Sequence, residues 1–217
     1  MRRVLAIDTS AGTSVAVVEL GAAIGARPQC VGSWHSDNPM KHAENIGVAI
    51  AAALQQAGLT ASKLDAVVVG RGPGPFTGLR VGIAAAVMFA EGARLPLYGV
   101  VSLDAIALAE REAGLTLEPV ARLLVATDAR RKEVYWATYS GIGLERGEGP
   151  GVQKFEVLLG ELEPAGPLVA ATQGVHAENI GRLFFEQHLA GVASLDISAL
   201  YLREPDAVPT PAKKVSG

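Results

Sequence analysis

Leu5-Ala6-Ile7-Asp8-Thr9-Ser10 is a short apolar run that stops at a carboxylate and two hydroxyls. Ala11-Gly12 follows with turn chemistry, and Ser14 to Leu20 resumes a β-rich pattern, so the two runs read as a hairpin. The plan returns at Leu123-Leu124-Val125-Ala126-Thr127-Asp128, then Ala129-Arg130-Arg131-Lys132, then a strand from Glu133 to Tyr139. A strand–Asp–turn–strand unit used twice is a degenerate internal repeat, and it predicts two related lobes.

Around the first copy the chain reads β-β-β-α-β-α-β-α. Cys30 to His35 is a third strand. Residues 41–57 form a helix, because Ala43, Ile46, Ile50, Ala53, Leu54 and Ala57 recur at three- and four-residue spacing, with Gly58 placed to cap it. Leu64 to Val69 ends in a solid apolar run, as a strand covered on both faces requires. The loop Gly70-Arg71-Gly72-Pro73-Gly74-Pro75-Phe76-Thr77-Gly78 feeds a helix over 77–93, with Leu79, Ile83, Val87 and Ala90 on one side. A strand from Pro96 to Val101 and a helix over 102–113 close this half. The order implies an α/β fold of mixed sheets flanked by helices. The second copy is shorter, with strands at 152–157 and 167–171 and one helical pattern over 175–189. The division is therefore a first lobe over 1–115, a smaller, truncated second lobe over 116–203, and a disordered tail over 204–217 marked by Pro205, Pro209 and Pro211.

Hydrophobic residues make up 49% of the 217 and charged ones 19%, enough for a substantial core and too apolar for global disorder. The net charge of −3 argues against a stand-alone nucleic-acid binder. The single Cys30 excludes an internal disulfide and suits a reducing compartment. Asp8 interrupts the apolar run behind Met1-Arg2-Arg3 too early for a secretory signal, and no run approaches the roughly 20 residues of a membrane span. The expectation is a cytoplasmic protein without a membrane.

Asp8, Thr9 and Ser10 at a strand end can hold a phosphate or a hydrated metal, or can simply be favoured turn residues. Gly72 and Gly74 permit a backbone that cradles an anion at the following helix, or a rigid strand-to-helix link with close packing. The loop has neither the Lys-Ser/Thr of a P-loop nor the spacing of a dinucleotide fingerprint. Asp128 and Arg130 are the repeat's counterpart, an anion contact or an exposed basic turn. His35, His42, His176 and His188 offer no helical metal pair, and no Gly-x-Ser-x-Gly occurs. Cys30 reads as a small core residue. The helices 41–57 and 77–93 carry Ala and Gly on more than one side, fit either for solvent or for close approach of a partner's helices.

These stretches, with His42-Ala43-Glu44, Leu79-Arg80-Val81-Gly82, Glu133-Val134-Tyr135 and Tyr201-Leu202-Arg203, resemble the bacterial TsaB (YeaZ) family. The likeness runs nearly end to end, except that Pro75 stands where the family has Ser and 141–200 is short and poorly matched. It implies the actin/Hsp70-like (sugar kinase/ATPase) two-lobe fold. It also implies a subunit of the machinery that makes threonylcarbamoyladenosine beside the tRNA anticodon. The family's catalytic relative, TsaD, carries a His-x-x-x-His metal pair where this chain has Ser102 and Ile106, so no metal site is expected. The resemblance implies a non-catalytic scaffold for TsaD that helps recruit the ATPase TsaE and meets tRNA only through the complex, and it leaves open a homodimer of the isolated chain. Docking would use His42, Glu44, Ile46, Ala49, Ile50, Ala53, Leu79, Val81, Ile83, Ala86 and Val87. No cofactor is expected on this chain alone, with ATP or ADP at the complex interface. The competing readings are an ATP-dependent kinase or ATPase of the same fold, with Asp8 and Asp128 as carboxylates, and a protease, which no nucleophile–base pair supports.

Overall fold

A computed structural model describes residues 1–23, 25–171 and 173–203. The predicted tail 204–217 lies outside the described residues. The first sheet has five strands in the order β3-β2-β1-β4-β5, made of β1 (Arg3–Asp8), β2 (Thr13–Leu20), β3 (Pro28–Ser36), β4 (Ala66–Gly70) and β5 (Leu97–Val100). β1 runs antiparallel to β2, with Asp8 opposite Ser14, and parallel to β4.

Strand alternation sends successive side chains to opposite faces. Leu5, Ile7, Val67 and Val69 pack with Ala49 and Ala53 of α1 (His42–Ala57) and Ala86 and Ala90 of α2 (Phe76–Ala93). Val4, Ala6, Ala66 and Val68 face the other way, onto Ala177, Ile180 and Phe184 of α5 (Ala177–Leu189). Both faces of β1 and β4 are thus dry, which is why these strands read as unbroken apolar runs. Gly58 caps α1 in the left-handed conformation, as predicted. Cys30 sits half-buried against the α5 side, and burial pushes its thiol pKa up.

The second sheet repeats the plan with less cover. β6 (Arg122–Asp128) pairs antiparallel with β7 (Glu133–Ser140) and parallel with β10 (Leu168–Ala170), as β1 does with β2 and β4. β8 (Glu145–Arg146) and β9 (Gly151–Lys154) pair with the two ends of β7. One face meets α3 (Ser102–Glu112) through Leu103, Ile106 and Ala107. The other meets α4 (Phe155–Leu162), whose Leu158 and Leu162 bury on Leu124.

Two expectations change. The strand expected over 152–157 stops at Lys154; Phe155, Leu158, Leu159 and Leu162 recur at helical spacing, and α4 buries that stripe. The helix over 175–189, assigned to the second lobe, returns to the first sheet. Its Phe184 and Phe185 bury there, and Gly181 lies so close to β2 that a Cβ would sit 2.6 Å from Val18 Cγ2. Among the described residues, α2 alone is long and apolar enough to cross a membrane by length and composition. Its Leu79, Ala86 and Ala90, however, are buried in the protein.

Candidate functional site

The turn joining β1 to β2 is a polar hub set among four helices. Asp8 Oδ1 accepts from Ser10 N (2.7 Å) and Ser10 Oγ (2.6 Å), and Oδ2 accepts from Ser102 Oγ (2.6 Å) at the start of α3. Ser102 Oγ in turn accepts from Gly72 N at 3.0 Å. Thr9 Oγ1 donates to Gly78 O (2.8 Å) and accepts from Gly82 N (3.1 Å). These are the two groups that an α-helix pairs with each other, so a strand-end hydroxyl bridges one rung of α2. Thr13 Oγ1 and His42 Nδ1 lie 2.9 Å apart, tying in α1. Ser14 Oγ accepts from Ala177 N at 2.8 Å, tying in α5. Asp8, Thr9, Ser10, Thr13, Ser14 and His42 are all buried.

The glycines of the 70–78 loop make this fit possible. Gly72 adopts φ +90°, closed to most side chains. A Cβ at Gly78 would lie 2.8 Å from Thr9 O and 3.1 Å from His42 Nε2, and one at Gly82 would overlap Thr9 Oγ1. The close packing expected of this loop is present. Burial raises the Asp8 pKa against the lowering effect of its hydroxyl and amide donors. Burial also depresses the His42 pKa, with the Asp8 charge acting the other way.

The predicted nucleotide or phosphate residues therefore divide. Ser10, Asp128 and Arg130 line one cleft with Ala11, Pro39, His42 and Pro75. Asp8 and Thr9 lie beneath it, engaged within the chain, and Gly72 and Gly74 are buried behind them. The cleft measures about 100 Å³, whereas ligand pockets run roughly 300–1,000 Å³. A wider groove of about 660 Å³ opens beside the start of α4, lined by Ala126, Asp128, Lys132, Val134 and Phe155 among others. Among the described residues no three His, Cys, Asp or Glu side chains gather in a way that could hold a metal.

The predicted docking residues divide as well. Ala49, Ala53, Leu79 and Ala86 are fully buried in the chain's own core, and Ile46, Ile50 and Ile83 pack against it. They face the sheet because the apolar stripe that defines each helix is the stripe its own core consumes. His42 is buried in the hub; Val81 and Val87 are half-buried and Glu44 is exposed. The outward stripes are Glu44, Gly47, Val48 and Ala51 on α1 and Arg80, Ala84 and Met88 on α2, with Val48 62% and Met88 73% exposed.

Sequence reasoning missed a set of contacts made by residues 194–203. Ser194 O accepts from Gly99 N at 2.9 Å on the edge strand β5, and Arg71 pairs with Asp196. The Tyr201 ring lies 4.8 Å from that of Phe76, and Arg80 Nε donates to Tyr201 Oη at 3.3 Å. Arg203 donates to Ala129 O at 2.9 Å and pairs with Glu133. The hints in the sequence are the four-residue spacing of Phe76 and Arg80 at a helix start and the Tyr201-Leu202-Arg203 stretch that carried the resemblance.

Two sheets built on one repeated plan, each with flanking helices, define the class: the actin-like ATPase fold. The family model for TsaD, tRNA N6-adenosine threonylcarbamoyltransferase, matches residues 38–200. A Mycobacterium tuberculosis (strain ATCC 25618 / H37Rv) protein described as uncharacterized is 41% identical over 180 residues, spanning 77% of this chain and 78% of that one. The tRNA threonylcarbamoyladenosine biosynthesis protein TsaB of Haemophilus influenzae is 30% identical over 169 residues, 75% of this chain and 70% of that one. The solved structure of YeaZ from Pseudomonas aeruginosa superposes with a TM-score of 0.70 at 27% identity, covering 93% of this chain and 100% of that one. The chain belongs to the TsaB (YeaZ) branch of the family that the model describes.

Proposed function

We propose that this chain is a non-catalytic subunit of tRNA threonylcarbamoyladenosine synthesis, a scaffold and activator for the catalytic paralogue TsaD that also helps recruit the ATPase TsaE. The reading rests on the kinship with TsaB proteins and on one observation above others. The α1–α2 pair leaves an outward apolar strip, Val48, Ala51, Ala84 and Met88, that its own core does not use. Small residues beside two exposed large ones let a partner's helices approach closely. The docking residues proposed here are these four with Gly47 and Glu44, in place of the buried alanines.

The hub supports the absence of intrinsic turnover. A catalytic carboxylate must reach a substrate, and Asp8 is buried under Ser10 and Ser102. Any ATP or ADP belongs at the interface with the partner. The chain alone pairs with itself through the same strip.

Co-purification with TsaD tests the reading. Val48→Asp with Met88→Glu is expected to abolish capture of TsaD while leaving thermal unfolding of the isolated chain unchanged. Retained capture would remove the docking face from the proposal. Full tRNA modification by TsaD, TsaE and the adenylate-forming enzyme without this chain would overturn the function itself. Micromolar ATP binding by the isolated chain in a calorimetric titration would favour a kinase instead.

A further inference from the structure

The contacts made by residues 194–203 gather cations and aromatic rings from three distant parts of the sequence onto one surface. The Arg80 guanidinium lies 3.8 Å from the Phe76 ring centroid, and Tyr201 extends this stack with 41% of its surface open. Two residues on, Arg203 grips the carbonyl of Ala129 and the carboxylate of Glu133, the two ends of the turn Arg130-Arg131-Lys132. Arg130 shares a cleft with Pro75, the residue before Phe76, so the turn lies beside the stack.

All three turn residues are exposed, and all three adopt left-handed backbone, at φ +62°, +56° and +62°. Such a run of non-glycine residues is strained. Three of the nearby carboxylates are committed, while Glu156 lies in the groove beside Lys132. Glu133 pairs with Arg203, Asp196 pairs with Arg71, and Asp128 Oδ1 accepts from the backbone N of Arg130 at 2.8 Å. A chain of net charge −3 thus sets the exposed cations Arg130 and Lys132 on a turn beside the Arg80–Phe76–Tyr201 stack.

We infer that this surface contacts RNA, with Arg130 and Lys132 on phosphates and an unpaired base or ribose laid against Tyr201 and Arg80. Cations alone would suit any acidic partner. A planar guanidinium stacked on one ring beside a second, open ring suits a nucleotide, whose phosphate and π face it can meet together. The inference rests on the subunit reading and extends it, making this chain a direct contributor to tRNA binding by the assembly.

The test is a fluorescence anisotropy titration of a tRNA transcript with the complex of this chain and TsaD, over a series of salt concentrations. Arg130→Asn with Lys132→Asn removes both charges and keeps a residue that tolerates the left-handed backbone. The double variant is expected to bind tRNA about tenfold more weakly at low salt. Its log–log salt slope should be shallower by about one per cation removed. Tyr201→Leu should weaken binding without changing the slope. Size-exclusion profiles of the complex should be unaltered by either change. Unchanged affinity and slope in the double variant would overturn the inference. So would intact tRNA binding with lost recruitment of TsaE, which would make the surface a protein contact. If the wild-type chain does not co-elute with TsaD, the subunit reading fails, and the same titration on the chain alone decides the RNA contact.

Discussion

The turn after β1 and the turn after β6 descend from the same pattern, an apolar strand ending in Asp, yet they serve opposite ends. Around the first, Asp8, Thr9, Ser10, Thr13 and Ser14 are buried and hold α1, α2, α3 and α5. Around the second, Asp128, Arg130, Arg131 and Lys132 are exposed, and only Ala129 is buried. The difference lies in what surrounds each turn. Four helix ends converge on the first, so every polar atom there must find a partner inside the protein. The second stands at the rim of a thinly covered sheet, where its side chains stay exposed. A motif inherited twice can thus become a structural hub in one lobe and a surface for ligands in the other.

The comparison can be broken hardest at Gly82. Its substitution by Val places a branched side chain where Thr9 Oγ1 stands and separates α2 from the hub. The expected loss is about 4 kcal/mol or more, enough to unfold the chain, read from urea denaturation. A folded, stable Gly82→Val protein would show that the hub does not hold the first lobe.

Removing the two aspartates comes next. Asp8→Ala strands the Ser10 amide and two hydroxyls in a dry site, at a cost of about 3 kcal/mol. Asp128→Ala deletes one exposed backbone contact and should cost about 0.5 kcal/mol. Equal losses in paired denaturation curves would erase the distinction between the turns.

Acidity gives a smaller effect. Because burial holds the His42 pKa below the ordinary 6.5, the folded state prefers the neutral ring. Its contribution is whole above that value and is lost as pH falls through 6.5 towards the depressed folded value. Asp8 runs the opposite way. Its raised carboxyl pKa makes the folded state bind a proton more tightly, so its contribution grows as pH falls towards 3.8. Between about pH 7.5 and about pH 5.5 the His42→Gln variant should therefore lose less stability, in urea midpoint, than the wild type. A steeper fall in the variant would reverse the assignment.

The mildest probe sits in the second lobe. Gly160 in α4 has open space around a would-be Cβ, so Gly160→Ala should raise stability by up to about 1 kcal/mol through helix propensity. Destabilisation there would mean that α4 is packed more tightly than its geometry indicates.

The order of strands and helices was largely legible. Apolar alternation and three-to-four spacing report burial directly, and burial drives both elements. The inward residues of α1 and α2 were legible for the same reason, and that misdirected the docking set. Ala49 and Ala86 stood out because the protein's own sheet needs them. The outward strip of Val48 and Met88 has the same helical spacing as the inward one, so only packing could show which face stays open. Ser102 looked like the mere absence of a ligand, whereas its hydroxyl completes the Asp8 hub. Beyond the four-residue spacing of Phe76 and Arg80, nothing local marked the meeting of Phe76 with Tyr201, or of Arg203 with the turn at Ala129.

By itself the amino-acid order determined the duplicated strand–Asp unit, the helices that flank it and the kinship they carry, because hydrophobic spacing and turn chemistry act over a few residues. Tertiary structure alone decided which aspartate would be enclosed, which face of each helix would stay open, and which basic turn would meet an aromatic ring. Those outcomes depend on surfaces brought together across a hundred residues of chain, where closure and packing, and not neighbouring letters, fix what water can still reach.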